Sequence, residues 1–329
     1  MPPGTLHHAR MNNRPPKPGA ARQFSNKPLH PRRPTGGDAG KGTGWADVAD
    51  WYDTLVGDEG SEYQREVILP GVLRMLEVKV EHRQKEKPGA GGAGKKLSVL
   101  DLACGQGVLC RKLAAAGCDV VGVDVAEPLI AAAQRRDEEE MRTRGTERTG
   151  TIRYAVADVT KLLAADGTLA AGLIAGSFDA VTIVLAIQNI TPLSPVWQAC
   201  AAALKRGGSL MVVMMHPAFR VPRQSDWVWQ ADTDGGAQGR VVRQYLTSAK
   251  IEIVTHPGKA ALGKASEATV HYHRPLQAYV NTLGNAGFAV DHLEEWISHK
   301  KSEAGPRKAA LDRARKEIPM FLALRARRA

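Results

Sequence analysis

A chain of 329 residues with 43% hydrophobic and 24% charged side chains is long and apolar enough to bury one large α/β core or two small ones. It contains no apolar run of roughly 18 residues and no apolar stretch behind a charged N-terminus, so neither a membrane-spanning helix nor a secretory signal is expected. The net charge of +11 suggests a nucleic-acid partner, yet residues 1–44 and 300–329 each carry +7 and the 255 residues between them −3, whereas a polyanion-binding catalytic face places its basic stripe on the domain itself.

Residues 1–44 combine Pro15-Pro16, Pro31-Arg32-Arg33-Pro34 and Gly36-Gly37 with no apolar periodicity, a composition expected to form a disordered basic tail. A domain is expected over 45–329. Its first part, 45–84, reads as helical: Trp51-Tyr52-Asp53, a Gly57/Gly60 break, then Val67, Ile68, Val72, Leu73 and Leu76 at helical intervals. A Gly/Lys/Pro linker follows at 85–96. Strands and helices then alternate: strand 97–103, helix 107–116, strand 119–123, helix 127–141, strands 152–156 and 178–185, helix 192–205, strand 208–215. Pro128 opens its helix at a first-turn position, where its missing N–H costs nothing, and Gly207-Gly208 closes the helix before the fifth strand. Beyond it, 216–227 lacks a regular pattern, 240–273 reads as an inserted hairpin of 240–253 against 268–273, and a helix to Ala286 precedes strands at 288–293 and 318–325. The cysteines at 104, 110, 118 and 200 lack metal-type C-x-x-C spacing; free thiols in a reducing compartment, the cytoplasm, are expected.

The most informative segment is Val99-Leu100-Asp101-Leu102-Ala103-Cys104-Gly105-Gln106-Gly107, an apolar strand bearing an acid that runs into a glycine loop and opens a helix. Glycines there let the backbone turn sharply and approach a ligand closely. Asp124 ends the next strand about 20 residues on, where a carboxylate takes the hydroxyls of a ribose. Asp158-Val159 follows the third strand, and Leu185 ends the fourth. A dinucleotide-binding fingerprint shares Gly105, Gly107 and Asp124, but Cys110 replaces its third glycine and Asp101 would repel a pyrophosphate.

This set resembles the cofactor loop of the class I S-adenosylmethionine (SAM) methyltransferases over residues 45–327. The resemblance implies a Rossmann-like fold with a mostly parallel seven-stranded sheet, an antiparallel last strand, flanking helices and an inserted hairpin after strand five. It implies SAM as cofactor, held by Asp101, Ala103, Cys104, Gly105, Gln106, Gly107, Asp124, Val125, Asp158, Val159 and Leu185, with Tyr52 in an N-terminal helical lid. Asp101 would accept from the ammonium of the bound amino acid. The fourth-strand loop, Ala186-Ile187-Gln188-Asn189, differs from the Asn-Pro-Pro-Tyr pattern used on nucleobase amines, and no Pro-Cys pair offers a nucleophile for pyrimidines.

Methyl transfer asks chiefly for alignment and exclusion of water. His216, at the end of the fifth strand, is the candidate general base. The segment from His216 to Trp229, with Arg220 and Arg223, is expected to line the acceptor pocket, together with Tyr245. The His271-x-His273 pair lacks a third ligand, so no metal is expected. The reading is a methyltransferase acting on a small-molecule or lipid-like acceptor. Its alternatives are an RNA or protein methyltransferase tethered by basic termini and a non-catalytic SAM-binding module. A positive patch over 300–316 beside the pocket would favour RNA. The sequence leaves the oligomeric state open.

Overall fold

The computed structural model describes residues 44–46, 48–49, 56–78, 96–144, 148–231, 236–254 and 268–329. The basic tail, Tyr52 and its neighbours, and the linker through residue 95 therefore lie outside the described residues.

Seven strands form one sheet: β1 (Ser98–Leu102), β2 (Asp119–Asp124), β3 (Ile152–Val156), β4 (Phe178–Val184), β5 (Leu204–Met215), β10 (Phe288–Trp296) and β11 (Phe321–Arg328). They lie in the order β10-β11-β5-β4-β1-β2-β3. The pairs among β1 to β5 are parallel, and β11 enters antiparallel to both β5 and β10. Such a sheet is buried on both faces, which is why its strands read as apolar runs.

Side chains alternate across the sheet. Leu210, Val212 and Met214 of β5, with Leu100, Leu102 and Ile183, pack on α4 (Leu193–Ala203) and α5 (Leu276–Asn285) through Trp197, Tyr279 and Leu283. Met211 and Val213, with Val99, Val120 and Phe321, pack on the opposite face. There they meet α2 (Val108–Ala115) through Leu109 and Leu113, and a π-helical turn (Gln64–Ile68) leading into α1 (Leu69–Met75) through Ile68, Val72 and Met75. The long helix α3 (Glu127–Arg144) joins β2 to β3.

The insertion differs from the single hairpin expected at 240–273. It holds two: β6 (Ser225–Gln230) pairs with β7 (Ala237–Val242), and β8 (Ala249–Val254) with β9 (Ala268–His273). The expected strand 240–253 breaks at residues 243–248, where Gln244 takes φ +52°. Its first part pairs backward with 225–230 and its second part forward with 268–273. A sixth helix, α6 (Lys308–Glu317), lies in the basic segment before β11 and packs on β7. Among the described residues no helix is long and apolar enough to cross a membrane.

Candidate active site

The loop after β1 turns through three left-handed residues, Ala103 (φ +55°), Gly105 (φ +55°) and Gly107 (φ +76°). Alanine at the first of these is uncommon for a residue with a Cβ. At Gly107 an added Cβ would lie 2.4 Å from the Tyr154 hydroxyl, so glycine serves close packing there. The loop is tied to β2 by the Cys104 N–H, which donates to Val123 O at 3.1 Å.

Asp124 is the centre of this edge. Its Oδ2 accepts from the Gly105 N–H and its Oδ1 from the Ala126 N–H, both at 2.9 Å. The side chain is buried, and burial raises its pKa above the usual carboxylate value while these N–H groups pull it back. An ionised carboxylate offers about four lone-pair sites, so after two backbone bonds each oxygen keeps one acceptor position. Asp158 begins a 3-10 turn, its Oδ1 accepting from the N–H of Thr160 at 2.9 Å and from its hydroxyl at 2.7 Å.

Both acids line one cleft at the C-terminal ends of the parallel strands, where open α/β sheets bind ligands. Ala103, Gly105, Val125, Val159 and Leu185 line it as well. Seven of the residues named from sequence thus share one cavity. Trp45, Leu129, Asn189 and Ile190 are among its other lining residues, none of them expected to hold the cofactor. Asn189 reaches the insertion, donating to Val270 O at 2.7 Å; the strand ends signal a ligand edge, but no spacing rule marks a rim residue from the following loop.

Four expected cofactor residues lie elsewhere. Asp101 sits beneath the cleft, fully buried, its Oδ1 accepting from the Thr182 hydroxyl at 2.6 Å and its Oδ2 from the Cys110 thiol at 3.3 Å. Burial pushes its carboxyl up to about 6. The Gln106 side chain points to the N-terminal segment, donating to Gly57 O at 2.9 Å and accepting from Arg136. Arg111 fastens the same junction through Gln106 O and Asp58 O. Cys104 and Gly107 do not line the cleft.

His216 is also outside the cleft lining. Its Nδ1 accepts from the N–H groups of Ala218 (3.2 Å) and Phe219 (3.3 Å), which leaves the proton on Nε2 to donate to Glu295 Oε1 at 2.8 Å. Burial holds its pKa below the ordinary histidine value, opposed by Glu295. Arg223 donates to Glu252 O in the second hairpin, and the Tyr245 hydroxyl accepts from the Leu276 N–H. Trp227, Trp229 and Tyr245 stand apart from the cleft lining. Among the described residues no three His, Cys, Asp or Glu side chains converge to hold a metal.

The donor set suits a nucleoside with an amino-acid tail. Two carboxylates, Asp124 and Asp158, line the cleft together with the apolar side chains of Val125, Leu129, Val159 and Leu185 and the Gly105 turn. Residues 100–212 match the family model described as a methyltransferase domain. A ubiquinone biosynthesis O-methyltransferase of Xanthomonas oryzae is 34% identical over 114 residues, 35% of this chain and 41% of that protein. Its counterpart from Bordetella avium is 33% identical over 110 residues, 33% and 39% of the two chains. The chain thus matches about two fifths of the length of these curated relatives. The crystal structure of a SAM-dependent methyltransferase from Mesorhizobium loti is 25% identical and superposes with a TM-score of 0.52 over 83% of this chain and 100% of that one. Residues 100–212 thus form a methyltransferase domain, in a chain that shares the fold of a SAM-dependent methyltransferase.

Proposed function

We propose that the protein transfers the methyl group of SAM to a small organic acceptor, in the cytoplasm. The observation that carries this reading is the convergence of Gly105, Asp124 and Asp158 on one cleft at the carboxyl edge of the sheet. Bound there, SAM supplies a methyl carbon that is already electrophilic. The protein's part is then to hold, orient and dry the reacting pair. Asp124, fixed by two backbone N–H groups, takes the ribose hydroxyls on its remaining lone pairs. Val125, Leu129, Val159 and Leu185 give the adenine ring an apolar slot, with the Asp158 carboxylate at its edge. The backbone of Ala103 to Gly105 lies along the amino-acid tail, and Asp101 shapes that loop from below.

The curated relatives are named for O-methylation in ubiquinone biosynthesis, which supports a small acceptor with an oxygen nucleophile. All four cysteines are free, as in a reducing compartment. With both ring nitrogens engaged by the protein, His216 fits a turn-holding role better than that of a general base.

Calorimetry with SAM, its demethylated product and NAD tests the cofactor. SAM and its product should bind, and Asp158→Ala should weaken them about tenfold, the loss of one charge-assisted contact. Tighter binding of NAD than of SAM would overturn the reading. Incubating the protein and labelled SAM with a phenol-rich metabolite extract then identifies the acceptor by its mass gain.

A further inference from the structure

Three guanidinium groups gather near the end of β5, and among the described residues none of them has a carboxylate in an ion pair of its own. Arg220 lies one turn past His216, its N–H donating to His216 O. Its guanidinium is set over the Trp227 ring, 5.5 Å from the centroid, and its Nε is buried with no hydrogen-bond partner. Arg240 of β7 stands over the same ring at 5.1 Å, held by Phe219 O (2.6 Å) and the Ser225 hydroxyl (2.8 Å). Arg315 of α6 donates through Nε to the Ser302 hydroxyl at 3.3 Å. Among the described residues no Asp or Glu forms an ion pair with any of the three; Asp226, whose charge reaches Arg240, is paired with Arg243.

Gathering like charges is unfavourable, and a half-buried guanidinium without a partner costs more, because its lost hydration is not replaced. Burial, Arg240 and Arg315 together bring the Arg220 pKa down to about 10. Three separate elements, the segment after β5, the first hairpin and α6, deliver these cations to one place. Arg240 is pre-positioned by neutral acceptors, and Asp226, which acts on it through space, is shared with Arg243. A planar fork of donors beside an indole face is the chemistry that recognises a carboxylate or phosphate.

We propose that Arg220, Arg240 and Arg315, with Trp227, form a binding site for a carboxylate or phosphate group, and that this group belongs to the methyl acceptor. The second half rests on the methyltransferase reading. The site follows directly from the end of β5, whose neighbour β4 runs into Leu185 of the cleft wall. The acceptor is thereby an anionic small molecule, held by its charge beyond the cofactor.

The test uses the full-length protein, with inorganic phosphate and benzoate as separate probes at an ionic strength held constant with chloride. Melting temperature and tryptophan fluorescence are followed against probe concentration. A saturable rise in melting temperature is expected at millimolar concentration. Response to phosphate alone identifies a phosphorylated acceptor, and response to benzoate identifies a carboxylate; either supports the site. Arg220→Met should raise the melting temperature of the free protein while weakening the probe at least tenfold. Arg315→Gln, on a partly exposed helix, should weaken it similarly and serves if the first variant fails to fold. SAM affinity should stay within twofold in both. The absence of a saturable response beyond chloride, or equal probe affinity in wild type and Arg315→Gln, overturns the proposal. Failure of SAM to bind the wild type would remove the methyltransferase reading and with it the assignment of the anion to a methyl acceptor, but not the anion site, because the probe measurements do not depend on SAM.

Discussion

The cofactor edge and the arginine-rich segment after β5 treat charge in opposite ways. At the edge, each oxygen of Asp124 and Asp101 already has a partner inside the protein, so these anions are fixed before any ligand arrives. Arg220, Arg240 and Arg315, by contrast, are brought together with no carboxylate in an ion pair with any of them among the described residues. The difference separates two kinds of site. One is built into the sheet and presents a ready geometry; the other is assembled from insertions and is completed by what it binds.

The largest effect that could break this contrast is at Asp124. Replacing it with alanine strands the N–H groups of Gly105 and Ala126, so unfolding free energy should fall by about 2 to 4 kcal/mol and SAM affinity by at least tenfold. Denaturant titration and calorimetry measure the two; a stable variant with unchanged SAM binding would show that the edge is not pre-built around this residue.

Asp101 sharpens the same point through pH. Burial raises its pKa from the ordinary 3.8 to about 6, so between those values the native state holds a proton that the unfolded chain has released. Stability should therefore fall as pH rises from about 4 to about 6, by on the order of 2 to 3 kcal/mol, and stay lower above. Asp101→Asn should flatten that slope and be more stable than wild type at pH 8. An unchanged pH profile would mean that Asp101 is ionised throughout.

Tyr154→Phe is the next step down. The buried hydroxyl has no partner and abuts Gly107, so its removal should stabilise the protein by about 1 kcal/mol. A loss of stability of that size in thermal melts would reveal a partner for the hydroxyl. The smallest effect on catalysis is expected at His216. His216→Gln should keep SAM affinity and leave turnover within about threefold, whereas a general base would cost about a hundredfold or more. Its lowered pKa adds a sign: the unfolded chain takes up a proton first, so wild-type stability should decline as pH falls below 6.5.

The sheet was legible because buried strands announce themselves as apolar runs, and β3, expected at 152–156, has those bounds. The seven cleft residues were legible because strand ends and glycine turns mark a ligand edge. The partners of Asp101 were not legible because its surroundings are set by register, which brings Thr182 opposite it in β4, and no spacing within 97–107 reveals that. The two hairpins were read as one because residues 243–248 hold neither glycine nor proline to mark the break. The strand Ser225–Gln230 did carry a signal, Trp227 and Trp229 at period two, hidden by its polar neighbours. In α6, the charge run masked Leu311 and Ala314, spaced one helical turn apart.

The position of β11 has a consequence for synthesis. Residues 321–328 fill the gap between β5 and β10 and hydrogen-bond to both, so a ribosome that has made the first 320 residues has produced two strands whose facing edges cannot meet. Until that last stretch emerges, the nascent chain displays open, apolar strand edges of the kind that recruit chaperones or pair with a neighbouring chain.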